Sequence, residues 1–182
     1  KVDKEWITKC QSWKKKWSPF NREDIDKLNM YSFSQVLSRK LKTNSFLLPK
    51  VVTDAGSAYY VLAQSLTFAQ LILPSAQGEM GFMIPAAIGA WYARHGKTIG
   101  VAGEGSFQFN IQELQTIVHN KMDIHLFVLN NGGYLSIKNT QHKFFESRLS
   151  GTDETSGISF PDLEKISNAL KVHPLELLKF EE

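Results

Sequence analysis

Between Ala55 and Gly78 no residue carries a charge, and after Glu79 the charge-free run resumes from Met80 to Ala93. Such a stretch belongs either in a bilayer or in a protein core. A membrane-spanning helix needs about 20 consecutive, predominantly apolar residues. Here Gln64, Gln70, Gln77, several hydroxyls, Gly56, Gly78 and Pro74 cut the run into shorter pieces, so a buried core is expected and no membrane partner. The 182 residues suffice for one sizeable domain. With 42% hydrophobic and 21% charged residues the composition matches a globular domain and excludes disordered, collagen-like and coiled-coil classes.

Cys10, the single cysteine, cannot form an internal disulfide, and no apolar signal region opens the sequence. A reducing compartment, the cytoplasm, is therefore expected. Charge is uneven: residues 1–50 carry 12 basic and five acidic side chains, the rest nine and 13. A basic segment can neutralise phosphates of a nucleic acid. Lys14, Lys15 and Lys16, however, lie between Trp13 and Trp17, a pattern better suited to the solvated face of a helix or linker, and no nucleic-acid partner is expected.

Residues 1–20 read as a linker or the remnant of a preceding domain, and 21–182 as one domain. Polar residues Asn21 to Asp24 open a helical segment, and a second helical pattern covers Tyr31 to Leu41. From there apolar β-type runs alternate with helical ones. Val51-Val52, Leu71 to Leu73, Lys97 to Ala102 and Ile124 to Leu129 are strand candidates; Ser57 to Leu66, Gly81 to Arg94 and Phe107 to His119 are helix candidates. Pro85 falls near a first turn, where its missing N–H costs little. Residues 146–159 read as a mobile loop, Ser159-Phe160-Pro161-Asp162 opens a helix to about Leu170 with Pro161 in its first turn, and Pro174 to Phe180 is a last short amphipathic piece. Near-continuous apolar strands alternating with helices predict an α/β fold: a three-layer, doubly wound parallel sheet with helices on both faces.

In such sheets ligands bind beyond the carboxyl ends of the strands. Three candidate strand ends carry glycine-rich or amide-rich turns: Asp54-Ala55-Gly56-Ser57, Gly103-Glu104-Gly105-Ser106 and Asn130-Asn131-Gly132-Gly133. Glycine lets the backbone approach a ligand, and helix N-termini offer free N–H groups, so a phosphate or diphosphate is the expected ligand. Glu104 beside a diphosphate calls for a hard divalent cation between them, with Asn131 as a second oxygen donor.

The stretch Gly103-Glu104-Gly105-Ser106 through Asn130-Asn131 resembles the Gly-Asp-Gly…Asn-Asn signature of thiamine diphosphate enzymes. Gly78-Glu79-Met80-Gly81-Phe82-Met83-Ile84-Pro85 through Ala90 resembles the corresponding segment of acetolactate synthases. The similarity runs from about Val51 to Leu170, and Trp6 to Trp17 resembles the end of the central domain that precedes the diphosphate-binding domain in that family. The resemblance implies that Glu104, the Asn131 side chain and the Gly133 carbonyl bind Mg2+ together with the diphosphate. Gly56, Ser57, Gly105 and Ser106 would hold the diphosphate, Gly78 would offer its carbonyl to the cofactor's 4′-amino group, and Met80 would wedge beneath the cofactor. No catalytic side chain is assigned to this chain. The implied activity is that of an acetolactate synthase-like carboligase, which decarboxylates a pyruvate-like 2-oxo acid and joins the product to a carbonyl acceptor. A pyrimidine-binding domain carrying an activating glutamate, in the same longer chain or another subunit, and a homo-oligomer are the implied partners.

Two positions depart from the family. Glu104 stands where the signature has Asp, which makes a non-catalytic module with a decayed metal site the alternative. Ile137 stands where the pyruvate decarboxylase branch has a glutamate, which disfavours that branch's protonation chemistry. A dinucleotide-binding Rossmann domain ranks last, because Gly105 is followed by Ser106, Phe107 and Gln108 rather than by a third glycine in register.

Overall fold

Val51 and Val52 are consecutive and wholly buried, yet they enter different cores. Val51 packs with Phe33, Leu37, Ala58, Leu62, Ile99 and Val101, and Val52 with Met83, Ile84, Ala102, Leu126 and Val128. Alternate residues of a strand point to opposite faces, so a strand buried on both faces reads as a continuous apolar run. The computed structural model describes residues 3–18, 29–42, 47–74 and 76–172, together with the backbone of 175–179.

Five parallel strands form one sheet: β1 (Lys50–Thr53), β2 (Gln70–Ile72), β3 (Thr98–Gly103), β4 (Ile124–Asn130) and β5 (Leu175–Lys179), in the order β2-β1-β3-β4-β5. Helices α2 (Met30–Leu41) and α3 (Ser57–Ser65) supply the core on the Val51 face. Helices α4 (Met83–Ala93), α6 (Leu114–His119) and α8 (Leu163–Leu170) supply the core on the Val52 face. This is the expected three-layer, doubly wound architecture. The chain leaves β1 for β2 on one side, then passes back across to β3 on the other, so the order reverses between β1 and β3. That reversal opens a crevice where ligands bind in sheets of this topology.

Several elements differ from the sequence reading. Residues inside the expected linker form helix α1 (Lys4–Lys16), capped by Asp3, and this helix buries none of its residues. The expected helix opening at Asn21 to Asp24 lies outside the described residues. The Phe107 to His119 helix starts earlier and is broken, as α5 (Glu104–Gln108), a 3-10 turn at Ile111–Glu113, and α6. The break falls at Asn110, whose side chain donates to the Gly81 carbonyl at 2.7 Å. Helix α7 (Leu135–Phe144) was not legible. Residues 146–159, expected as a mobile loop, contain a 3-10 turn at Glu154–Ser156 with a capping box built on Asp153. Pro161 precedes the cap of α8 instead of occupying its first turn; Asp162 is the cap, accepting from Glu164 and Lys165. Within the expected last amphipathic piece Leu175–Lys179 forms β5, and Pro174 and Phe180 lie outside the described residues. Among the described residues no helix is long and apolar enough to cross a membrane.

Candidate functional site

Pairing of Thr53 with Val101 and of Gly103 with Leu129 brings the ends of β1, β3 and β4 to one edge of the sheet. The three turns that follow them surround a cavity of about 250 Å3 at the β1/β3 crevice. Gly56, Ser57, Gly78, Met80, Glu104, Gly105, Ser106, Asn131 and Gly133 all line it, so every site residue named from the sequence reaches one place. Met80 belongs to neither hydrophobic core, which leaves it on the cavity wall.

Helices α3 and α7 both begin at the cavity, through Ser57 and Ala58 on one side and Leu135, Ser136 and Ile137 on the other, and neither N-terminus carries a side-chain cap. Uncapped N-termini present free N–H groups and partial positive charge to an anion. Among the described residues the lining includes Glu104 and no Lys, Arg or His. An anion in this cavity therefore meets a carboxylate with no protein cation to offset it.

Glu104 is 1% exposed. Burial pushes its carboxyl above the ordinary range, opposed by backbone N–H groups of Glu104 itself, Gly133, Asn131 and Gly132. Gly133 N–H donates to Glu104 Oε1 at 2.7 Å. The end of the Asn131 amide lies 3.0 and 3.2 Å from the two Glu104 oxygens and 2.9 Å from the Gly133 carbonyl oxygen. Without a metal its NH2 donates to these acceptors; a half-turn of the same amide presents its oxygen to them instead. A carboxylate, an amide oxygen and a peptide carbonyl then converge, the hard oxygen set that magnesium prefers. Adjacent ligands on an octahedral shell of about 2.1 Å radius lie about 3.0 Å apart, close to the separations observed. The residues present thus fit a magnesium ion. The extra methylene of Glu104 does not carry its carboxylate away from the other two donors.

Gly133 is held from outside. Its backbone bridges to Asp153, and Tyr134 N–H donates to the Thr152 carbonyl at 2.8 Å. A side chain at Gly133 would run into that same carbonyl. Asp153 in turn accepts from Ser156 and Thr155 and pairs with Lys138 at 3.2 Å; these partners hold its carboxyl down at about 2. The ring of Tyr134 lies over Gly105 so closely that a Cβ there would overlap it, and it meets Phe160 edge-on at 5.6 Å. Tyr134 was not named from the sequence. Ile137 lines the cavity, so an apolar side chain occupies the position where one family branch carries its glutamate.

Asp54 stands in the first of the three turns named from the sequence, where it was given no role, and it does not itself line the cavity. It is 1% exposed and accepts from Ala55 N–H at 2.8 Å, Gly81 N–H at 3.0 Å and Met83 N–H at 3.0 Å. Burial raises its carboxyl above the ordinary value and these donors work against the rise.

Residues 54–180 match the family described as thiamine pyrophosphate enzyme, C-terminal TPP binding domain. The chain is 33% identical over 127 residues to the acetolactate synthase isozyme 2 large subunit of Escherichia coli (strain K12), a match covering 68% of this chain and 23% of that protein. It is 28% identical over 175 residues to the acetolactate synthase large subunit of Cyanidium caldarium, covering 94% and 29%. Against the acetolactate synthase large subunit of Pyropia yezoensis it is 34% identical over 140 residues, covering 75% and 23%. The chain spans less than a third of the length of these relatives.

Proposed function

This chain belongs to the C-terminal TPP-binding domain family of the thiamine pyrophosphate enzymes, and from that premise we propose that it binds the diphosphate of thiamine diphosphate through Mg2+ as one part of an acetolactate synthase-like carboligase. The observation that carries the reading is the convergence of Glu104, Asn131 and the Gly133 carbonyl beside two uncapped helix N-termini in a cavity with no basic side chain among its described lining residues. Glu104, the Asn131 oxygen and Gly133 would hold the cation. The cation would offset the repulsion between Glu104 and the diphosphate. Gly56, Ser57, Gly105 and Ser106 would donate to the diphosphate oxygens, and Gly78 and Met80, across the cavity, would receive the pyrimidine end. When bound, thiamine diphosphate supplies the electron sink that lets a 2-oxo acid lose CO2.

A cavity of about 250 Å3 is smaller than the roughly 300–1,000 Å3 of a complete small-molecule pocket. A pyrimidine-binding domain, from the same longer chain or another subunit of a homo-oligomer, would supply the missing wall and the activating acid. The substrates are a pyruvate-like 2-oxo acid and a carbonyl acceptor. The close approach of the Glu104 carboxylate to Asn131 and Gly133 argues against a decayed metal site. Calorimetric titration of the assembly containing both domains tests the reading. Glu104→Ala is expected to abolish magnesium-dependent binding of thiamine diphosphate, and unchanged binding in that variant would sink the assignment.

A further inference from the structure

The donors that satisfy Asp54 lie on two separate pieces of chain. Ala55 N–H belongs to the turn after β1, and Gly81 and Met83 N–H to the segment that leads from β2 into α4. Those pieces carry Gly56 and Ser57, and Gly78 and Met80, respectively. Asp54 itself does not line the cavity. A buried carboxylate that accepts three backbone N–H groups fixes each of them, because losing it would leave buried donors without partners. Among the described residues the other holds on the 78–83 segment lie at Gly81 and beyond: the Asn110 amide on the Gly81 carbonyl at 2.7 Å, Phe82 packed against the core, and the wholly buried Met83 side chain.

We propose that Asp54 is a positioning residue that sets the height of Gly78 and Met80 over the diphosphate turns, and so decides whether the cavity accepts a whole thiamine diphosphate or only its diphosphate end. The proposal deepens the reading of the cavity as a thiamine diphosphate site and rests on it. In Asp54→Asn the remaining oxygen still accepts from Ala55 and Gly81, but an NH2 group faces Met83 N–H, donor against donor. The strain falls on the side of the pyrimidine end, and the turn after β1 keeps its contact.

The test uses the intact protein and two probes, inorganic diphosphate with Mg2+ and thiamine diphosphate with Mg2+, together with amide hydrogen exchange in the absence of ligand. For Asp54→Asn the affinity for inorganic diphosphate is expected to stay within about twofold of wild type, while that for thiamine diphosphate falls about tenfold or more. Exchange should quicken at residues 78–83 and remain unchanged in β3. Asn110→Ala, which removes the separate hold on Gly81, should give the same pattern more weakly, and it serves if Asp54→Asn does not fold. Equal losses for both probes, with exchange quickened throughout, would reduce Asp54 to a stability residue and overturn the proposal, as would no change in either probe. If the wild-type protein binds neither probe, the thiamine diphosphate reading fails first, and the proposal falls with it whatever the exchange shows.

Discussion

Glu104 and Asp54 are buried carboxylates on neighbouring strand ends, and both are pushed above their ordinary values by burial. A raised folded-state value means the folded protein holds the proton more tightly than the unfolded chain. The stabilisation is complete below the unfolded values and is lost as pH rises through the raised ones. Asp153 behaves oppositely: its carboxyl lies at about 2 against an ordinary 3.8, so its contribution is present above 3.8 and disappears as pH falls through about 2. For the ligand-free protein, urea unfolding across about pH 4 to 8 should therefore show stability declining as pH rises. Glu104→Gln should flatten that decline, because a neutral amide has no proton to lose. Thiamine diphosphate with Mg2+ should flatten it in the wild type, since the cation favours the charged carboxylate. An undiminished slope in Glu104→Gln would show that the buried proton is held elsewhere. Glu104→Asp shortens the arm that now reaches Gly133 N–H at 2.7 Å, so it tests whether that bond or the family's usual carboxylate suits the cation better.

At the scale of elements, the turn at residues 151–157 acts as a brace for the metal turn, through the Gly133–Asp153 bridge, the Tyr134-to-Thr152 hydrogen bond and the Lys138–Asp153 ion pair. Asp153→Ala removes the acceptor that organises Ser156, Thr155 and Lys138. It is expected to raise the Mg2+ concentration needed for half-maximal thiamine diphosphate binding by several-fold; an unaltered Mg2+ requirement would show that Gly133 needs no brace. The three turns themselves were readable in the sequence because glycine and asparagine at strand ends have few other uses, and the strands because both their faces are buried. Helix α7 was not readable: LSIKNTQHKF buries no residue, so it has no apolar stripe from which a helical period could be recognised. The break between α5 and α6 and the role of Asp54 depend on partners 27 to 29 residues away, which local pattern does not encode. Tyr134 escaped for the same reason, since its significance lies in the absence of a side chain at Gly105.

For the molecule as a whole, the charge-free run largely fulfils its expected role, with Ala58, Leu62, Met83, Ile84 and Ala87 in the two cores. It nevertheless leaves Tyr60, Phe68 and Tyr92 exposed, while α7 beside the cavity exposes Leu135, Ile137 and Phe144, and α1 with its C-terminal cap exposes Trp6, Trp13 and Trp17. Apolar surface of this extent is a feature of chains that meet a partner. The cavity adds a second incompleteness, since Glu104, whose oxygens face Asn131 and Gly133, is its only carboxylate among the described residues. No acid in the lining is left to protonate a cofactor ring. Purified alone, this chain is therefore expected to self-associate in a concentration-dependent way and to show no turnover of pyruvate with thiamine diphosphate and Mg2+, even where it binds the diphosphate end. Supplying a pyrimidine-binding domain should bring in the activating acid, close the open side of the cavity and cover the exposed face of α7, so that decarboxylation appears and self-association declines together. Light scattering and CO2 release measured on the same samples check both halves. Clear turnover by the chain alone would mean that the site is complete within one domain, and activity arising with the apolar surface still uncovered would separate the docking face from the α7 side of the cavity.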